Sequence, residues 1–259
     1  MARNRGGVID EYNDYFGVNR GAPCREVSCY AETSPMKKIL INGRQFAYEV
    51  IGARSPTVVL ETGIGAESSE WAPIASTTAR SNAVFRYDRA GRGESELGQG
   101  NRDALIMVDE LNALLAATQT KGPYLLVGHS FGGLLMRLFA SANRASVCGL
   151  VLVESIHRGQ FEVMGPAFPD PSSSDVPALV QVRTFWTGGW RDPNSTVEHI
   201  DFERSFVQDQ AVTTLGNLPL FYHLRCVGPE HALCPRRVSQ AKTSTPVGQA
   251  TGRSLPSFR

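Results

Sequence analysis

Tyr124 to Asn143, YLLVGHSFGGLLMRLFASAN, forces a strand to become a helix within a few residues. Tyr124-Leu125-Leu126-Val127 is an apolar run of strand length. Leu134, Leu135, Leu138 and Phe139 recur at helical spacing. Between the two lies Gly128-His129-Ser130-Phe131-Gly132, a G-x-S-x-G pattern. In a chain with 25 glycines that pattern alone is weak, and a plain glycine-rich loop is the competing reading. The flanking strand and helix favour a sharp functional turn. Gly128 and Gly132 remove the Cβ atoms that crowd such a turn. Ser130 is left at its apex with an exposed hydroxyl. The helix N-terminus behind it favours developing negative charge.

The remaining pattern alternates strands with helices. KILINGRQFAYEV, from Lys38 to Val50, reads as a hairpin turning at Asn42-Gly43. Thr57–Glu61, Ala83–Tyr87 and 147–154 read as buried strands. Asp103 to Gln119 reads as an amphipathic helix burying Leu105, Val108, Leu111 and Leu115. This is the α/β class, a mostly parallel sheet flanked by helices. Residues 158–215, with Pro, Ser and aromatic clusters and a helix-like stretch from Thr196 to Thr213, read as an inserted cap. Leu218–Leu224 reads as one more strand. Residues 1–35 are expected to be a flexible extension, 36–224 the folded domain and 225–259 an irregular tail.

Hydrophobic content of 42%, charged content of 20% and a net charge of +1 describe an ordinary globular chain. They give no argument for nucleic-acid or membrane partners. No run of 18 apolar residues occurs, and the first residues lack an apolar leader core. With an odd five cysteines, the expectation is a reduced, cytoplasmic protein.

VVLETGIG, YDRAGRGES, GHSFGG and GLVLVESIH, in this order, resemble the α/β-hydrolase fold family over Lys38 to Leu224. The resemblance implies a serine hydrolase with Ser130 as nucleophile. It implies an oxyanion hole made by the N–H groups of Phe131 and Ile64, and a structural turn at Asp88, Arg89 and Ser95. Acyl transfer places negative charge on the carbonyl oxygen, and each aimed N–H donor contributes on the order of 3 kcal/mol. Many relatives carry His before the glycine of the first loop, where this chain has Thr62. The expected reaction is hydrolysis of a small, fairly apolar ester or related acyl substrate, a small molecule being the only partner implied. Haloperoxidase or peptidase chemistry uses the same nucleophile. No cofactor or metal is expected. Trp71, Phe131, Phe161, Met164, Phe185 and Trp186 are pocket-lining candidates or ordinary packing.

The partners of Ser130 are the open question. The family order is Ser, acid, then a late His. His129 adjoins the nucleophile and reads as a loop or pocket residue. His157 reads as a rim residue. His231 is the one histidine late enough to be the base, and Glu154 or Glu230 are the acid candidates; Glu154 is geometrically freer, because Glu230 adjoins His231. Without a base, activity falls by on the order of 10⁴–10⁶. The expectation is a truncated or frame-disrupted C-terminus lacking the last strand and helix. The alternative function is a catalytically inactive hydrolase-fold scaffold. His223, Cys226, His231 and Cys234 are zinc-ligand types, but their loop is shorter than in ordinary zinc folds and their spacing is read as chance.

Overall fold

The computed structural model describes residues 35–223. The extension 1–34 and the residues from Leu224 onward, including the expected irregular tail, lie outside the described residues. A seven-stranded sheet runs in the order β1-β2-β4-β3-β5-β6-β7. Its strands are β1 (Lys37–Ile41), β2 (Arg44–Ile51), β3 (Thr57–Glu61), β4 (Ala83–Tyr87), β5 (Tyr124–His129), β6 (Val147–Val153) and β7 (Leu220–His223). β2 pairs antiparallel with β1 and with β4, and the other pairings are parallel. The β1–β2 hairpin turns at Asn42 (φ 50°) and Gly43 (φ 78°). Two positive φ values match a two-residue turn to the right-handed twist of the strands.

Every residue of β3 and β4 is buried, because helices cover both faces. The helices are α1 (Ala72–Thr78), α2 (Ala104–Ala117), α3 (Phe131–Ala142), α4 (Arg158–Ala167), α5 (Pro177–Thr187) and α6 (Phe202–Gln210). Val58, Leu60 and Val84 pack with Trp71 and Ala75 on one face. Val59, Phe85 and Leu126 meet α2 and α3 on the other, in the larger core. α2 starts at Asp103, whose side chain accepts the Ile106 N–H. It buries Met107, Val108, Leu111, Leu114 and Leu115, but Leu105 is 43% exposed. Val108, Leu111 and Leu115 are buried as expected; the face is widened by Met107 and Leu114, and Leu105 alone falls outside it. Leu134, Leu135, Leu138 and Phe139 of α3 are all buried against the sheet, as their spacing predicts.

Between β6 and β7 the chain inserts α4, α5 and α6. The helix expected from Thr196 is shorter: α6 begins only at Phe202, after Asp201 accepts the Arg204 N–H as its cap. Thr196 instead organises a turn, accepting the Ile200 N–H through its hydroxyl. The insertion is fastened by aromatic packing. Phe161 lies 4.8 Å from Trp186, 5.3 Å from Trp190, 5.3 Å from Phe202 and 5.0 Å from Phe206 between ring centroids. Phe202 meets Phe131 of α3 at 5.5 Å.

Truncating Leu134, fully buried on the sheet-facing side of α3, is expected to cost about 2–5 kcal/mol of unfolding free energy. Leu105→Ala is expected to stay within about 0.5 kcal/mol of the parent. Denaturant titrations of the two variants check this, and a Leu105 effect as large as that of Leu134 contradicts the packing described.

Candidate active site

The site is built at the C-terminal end of β5, in the middle of the sheet. Ser130 sits between β5 and α3 at φ 52°, ψ −119°, a conformation costly for a residue with a side chain. Its backbone is pinned on three sides. The Ser130 N–H donates to the Val153 carbonyl at 2.9 Å, and the Ser130 carbonyl accepts from the Gly133 N–H at 3.0 Å and the Ile156 N–H at 3.2 Å. These bonds hold the strain in place. A serine before a helix normally spends its hydroxyl capping the first turn. Ser130 makes no such capping bond, so its half-buried hydroxyl is not consumed by the helix.

Two glycines let the turn close. A Cβ on Gly128 would lie 2.5 Å from the Gly132 oxygen, and one on Gly132 would lie 2.5 Å from the Thr62 oxygen. A third glycine brings the second loop in. A Cβ on Gly63 would lie 3.3 Å from the Ser130 Cβ and 3.2 Å from His129 Nδ1. Phe131, the first residue of α3, has a backbone N–H that no intrahelical carbonyl can reach. The Ile64 N–H has no acceptor among the described residues. The loop after β3 and the N-terminus of α3 thus both border Ser130.

Beneath that loop lies a sealed polar cluster. Arg89 is fully buried and donates to Glu61 (2.6 Å), to Glu198 (2.6 and 2.9 Å) and to the carbonyls of Thr62 (2.8 Å) and Gly63 (2.6 Å). The Tyr87 hydroxyl donates to Glu61 at 2.5 Å. The Glu198 carboxylate also accepts the Gly65 N–H at 3.0 Å. Burial opposes ionisation of Glu198, but the Arg89 charge, its hydrogen bonds and the Gly65 N–H outweigh it and leave its pKa lowered. Burial dominates at Glu61 and raises its pKa despite Arg89. Asp88 accepts the N–H groups of Ser68 (2.9 Å) and Glu94 (3.0 Å), and Ser95 donates to the Asp88 carbonyl at 2.7 Å. Asp88, Arg89 and Ser95 are thus engaged in tying loops together.

The histidines are dispersed. Burial lowers the pKa of His129, with Glu154 pulling the other way. His157 is exposed before α4, where its ring lies against Gly159. Glu154 follows β6 at φ 48°, its N–H donating to the His223 carbonyl at 2.8 Å. Glu230, His231, Cys226 and Cys234 lie outside the described residues. Trp71, Phe131, Phe161, Phe185 and Trp186 are buried core side chains and Met164 packs against that core, in keeping with the ordinary-packing alternative. Sequence reasoning missed Glu198. Nothing around it in NSTVEHID marks it as buried; the one hint was Glu61, a carboxylate ending an apolar strand.

An open, mostly parallel sheet with a serine on a strand–helix elbow at its centre defines the α/β-hydrolase class of folds. The profile of the Alpha/beta hydrolase family matches residues 58–247, and the chain belongs to that family. The match runs past Leu224 into the stretch read as an irregular tail. Uncharacterized protein YqjL of Bacillus subtilis (strain 168) is 38% identical over 103 residues, covering 40% of this chain and 41% of YqjL. An AB hydrolase superfamily protein of Gibberella zeae is 30% identical over 108 residues, covering 39% of this chain and 33% of that protein. The matches thus span well under half the length of these curated relatives. An alpha/beta hydrolase fold protein from Burkholderia ambifaria has a TM-score of 0.51 at 18% identity, covering 72% of this chain and 78% of that one. The structure of DBJA (mutant dbja delta) has a TM-score of 0.55 at 17% identity, covering 72% and 79%. These two likenesses establish the fold. Among the described residues no helix is long and apolar enough to cross a membrane.

Gly132→Ala is expected to destabilise the protein by at least about 1–3 kcal/mol, since the new methyl meets backbone oxygens that cannot swing away. Gly100→Ala, which meets no neighbour and carries only the strain of its positive φ (61°), is expected to cost less; paired melting curves decide. Acid titration gives a second check. Because the folded pKa of Glu198 lies below its ordinary value of 4.5, its contribution to stability is complete above pH 4.5 and is lost as pH falls further. Glu61, shifted upward, acts in the opposite sense and above pH 4.5. Glu198→Gln is therefore expected to flatten the loss of stability below pH 4.5, measured as unfolding free energy against pH; an unchanged slope contradicts the assignment.

Proposed function

We propose that this chain hydrolyses a small, fairly apolar ester or related acyl substrate through an acyl-enzyme on Ser130. The observation that carries this reading is the backbone of Ser130. It is held at a costly positive φ on a helix N-terminus, with its hydroxyl left out of the cap. Strain at one residue, retained by three hydrogen bonds, is the signature of a position arranged for chemistry.

In the proposed reaction Ser130 Oγ attacks the substrate carbonyl carbon while a base removes its proton. The carbonyl oxygen becomes an oxyanion received by the N–H groups of Phe131 and Ile64. Collapse expels the alkoxide, which takes the proton from the base as alcohol. A water molecule then repeats the sequence on the acyl-enzyme and releases the acid. His231, outside the described residues, is the proposed base, and Glu154 at the end of β6 is the proposed acid. Membership of the α/β-hydrolase family supports hydrolysis as the reaction class.

A second reading is a hydrolase-fold scaffold that binds without turnover. It is motivated by the base, which the enzyme reading has to draw from outside the described residues. Labelling by a fluorophosphonate probe separates the two. The enzyme reading expects covalent labelling of the folded full chain, lost in Ser130→Ala, with hydrolysis of a short-chain p-nitrophenyl ester lost in parallel. His231→Ala is expected to lower that hydrolysis by on the order of 10³-fold or more. Well-folded protein that does not label rejects the enzyme and leaves the scaffold.

A further inference from the structure

The loop after β3 contributes one of the two proposed oxyanion donors, yet loops of this kind have no reason of their own to aim an N–H at a serine. Thr62–Gly65 makes the point concretely. Its peptides are held from below, and the holder comes partly from the insertion between β6 and β7.

Consider the peptide joining Gly63 to Ile64. Its carbonyl accepts from Arg89 Nη2 at 2.6 Å. The peptide is trans, so its N–H points opposite to its carbonyl. Fixing the oxygen on the buried guanidinium turns the Ile64 N–H away from it. The preceding carbonyl, of Thr62, is fixed on the same guanidinium at 2.8 Å. The following N–H, of Gly65, is fixed on Glu198 Oε1 at 3.0 Å. Gly65 itself takes φ 71°, which glycine adopts freely. Three consecutive peptide units are thus clamped, and the N–H groups of Gly63 and Ile64 are the donors left without an acceptor among the described residues.

Glu198 is the pivot of the clamp. Its Oε1 bridges Arg89 Nη2 (2.9 Å) and the Gly65 N–H, and its Oε2 takes Arg89 Nε at 2.6 Å. The segment that carries it is anchored in turn: the Arg102 N–H donates to the His199 carbonyl at 2.8 Å, and the Asp201 N–H donates to the Arg102 carbonyl at 3.0 Å. Glu198 is 1% exposed.

We infer that Glu198 is a positioning residue: through Arg89 and the Gly65 N–H it fixes the direction of the Ile64 oxyanion donor. The cap therefore contributes to turnover. This inference rests on the Ser130 reading for its catalytic half, and on the loop geometry alone for its structural half.

Two measurements test it on the full chain. In the unaltered protein, amide exchange at Gly65 is expected to be at least about 100-fold slower than at Gly100, a glycine in an exposed loop; comparable rates overturn the clamp. In Glu198→Gln, exchange across residues 62–66 is expected to accelerate. Phosphonylation of Ser130 is expected to slow by on the order of 10- to 100-fold, with kcat for the p-nitrophenyl ester falling while KM stays near its parent value. Phosphonylation and kcat at parental rates overturn the catalytic half. A fall in KM-dependent binding alone, with kcat kept, also overturns it. An unaltered protein that never labels rejects the Ser130 reading and the catalytic half with it, while Gly65 exchange still decides the clamp. Should Glu198→Gln not fold, the exchange comparison in the unaltered protein remains decisive for the structural half.

Discussion

A guanidinium enclosed by protein on every side has to be neutralised and hydrogen-bonded, or the fold does not form. Arg89 is such a group, and its requirements shape everything above it. Glu61 at the end of β3 and Glu198 from the insertion supply the negative charge. The remaining donors draw in the carbonyls of Thr62 and Gly63. Its charge also lies 5.9 Å over the ring of Phe131, the residue after the serine. One buried cation thus gathers the end of β3, the start of α3 and the insertion at a single point. Such an ion cluster adds little net stability compared with a hydrophobic substitute, but removing one member costs about 3–5 kcal/mol because the others stay buried. Its value lies in orientation.

The serine elbow obeys the same logic on the other side of the loop. Ser130 is held at positive φ by bonds from β6, from its own helix and from the segment after β6. The approach of strand to helix needs Gly128 and Gly132, and the approach of the loop to the elbow needs Gly63. The bond from Gly133 and the approach of Gly128 to Gly132 are local; the others join the elbow to β6, to the segment after it and to the loop after β3, so the strained turn is held only within the assembled sheet.

This division explains what could be read from the residues alone. The hairpin at Asn42-Gly43, the buried strands and α3 all follow from short-range periodicity and turn chemistry, and so does the strand–turn–helix around Ser130. Of the expected helix face Val108, Leu111 and Leu115 are buried and Leu105 is not, because four leucine and valine positions leave the edge of the stripe open; Met107 and Leu114 complete it. Phe161 and Trp186 resembled pocket residues because an aromatic cluster in a cap and an aromatic cluster in a core have the same composition. Glu198 was illegible for a stronger reason. Its burial depends on an arginine more than a hundred positions earlier, and no local pattern in a Thr-Val-Glu-His segment distinguishes it from a solvated acid. The family profile reaches residue 247, beyond the last strand that periodicity marks.

The insertion between β6 and β7 also limits how the molecule can be recombined. Caps of this kind invite exchange between relatives, since both junctions fall at strand ends. Here the boundary is not clean. The inserted segment delivers Glu198 to the floor of the neighbouring loop and Phe202 to the ring of Phe131. A chimaera grafted at those junctions inherits an arginine short of one counter-charge and an aromatic face short of its partner, unless the donor brings equivalents of both.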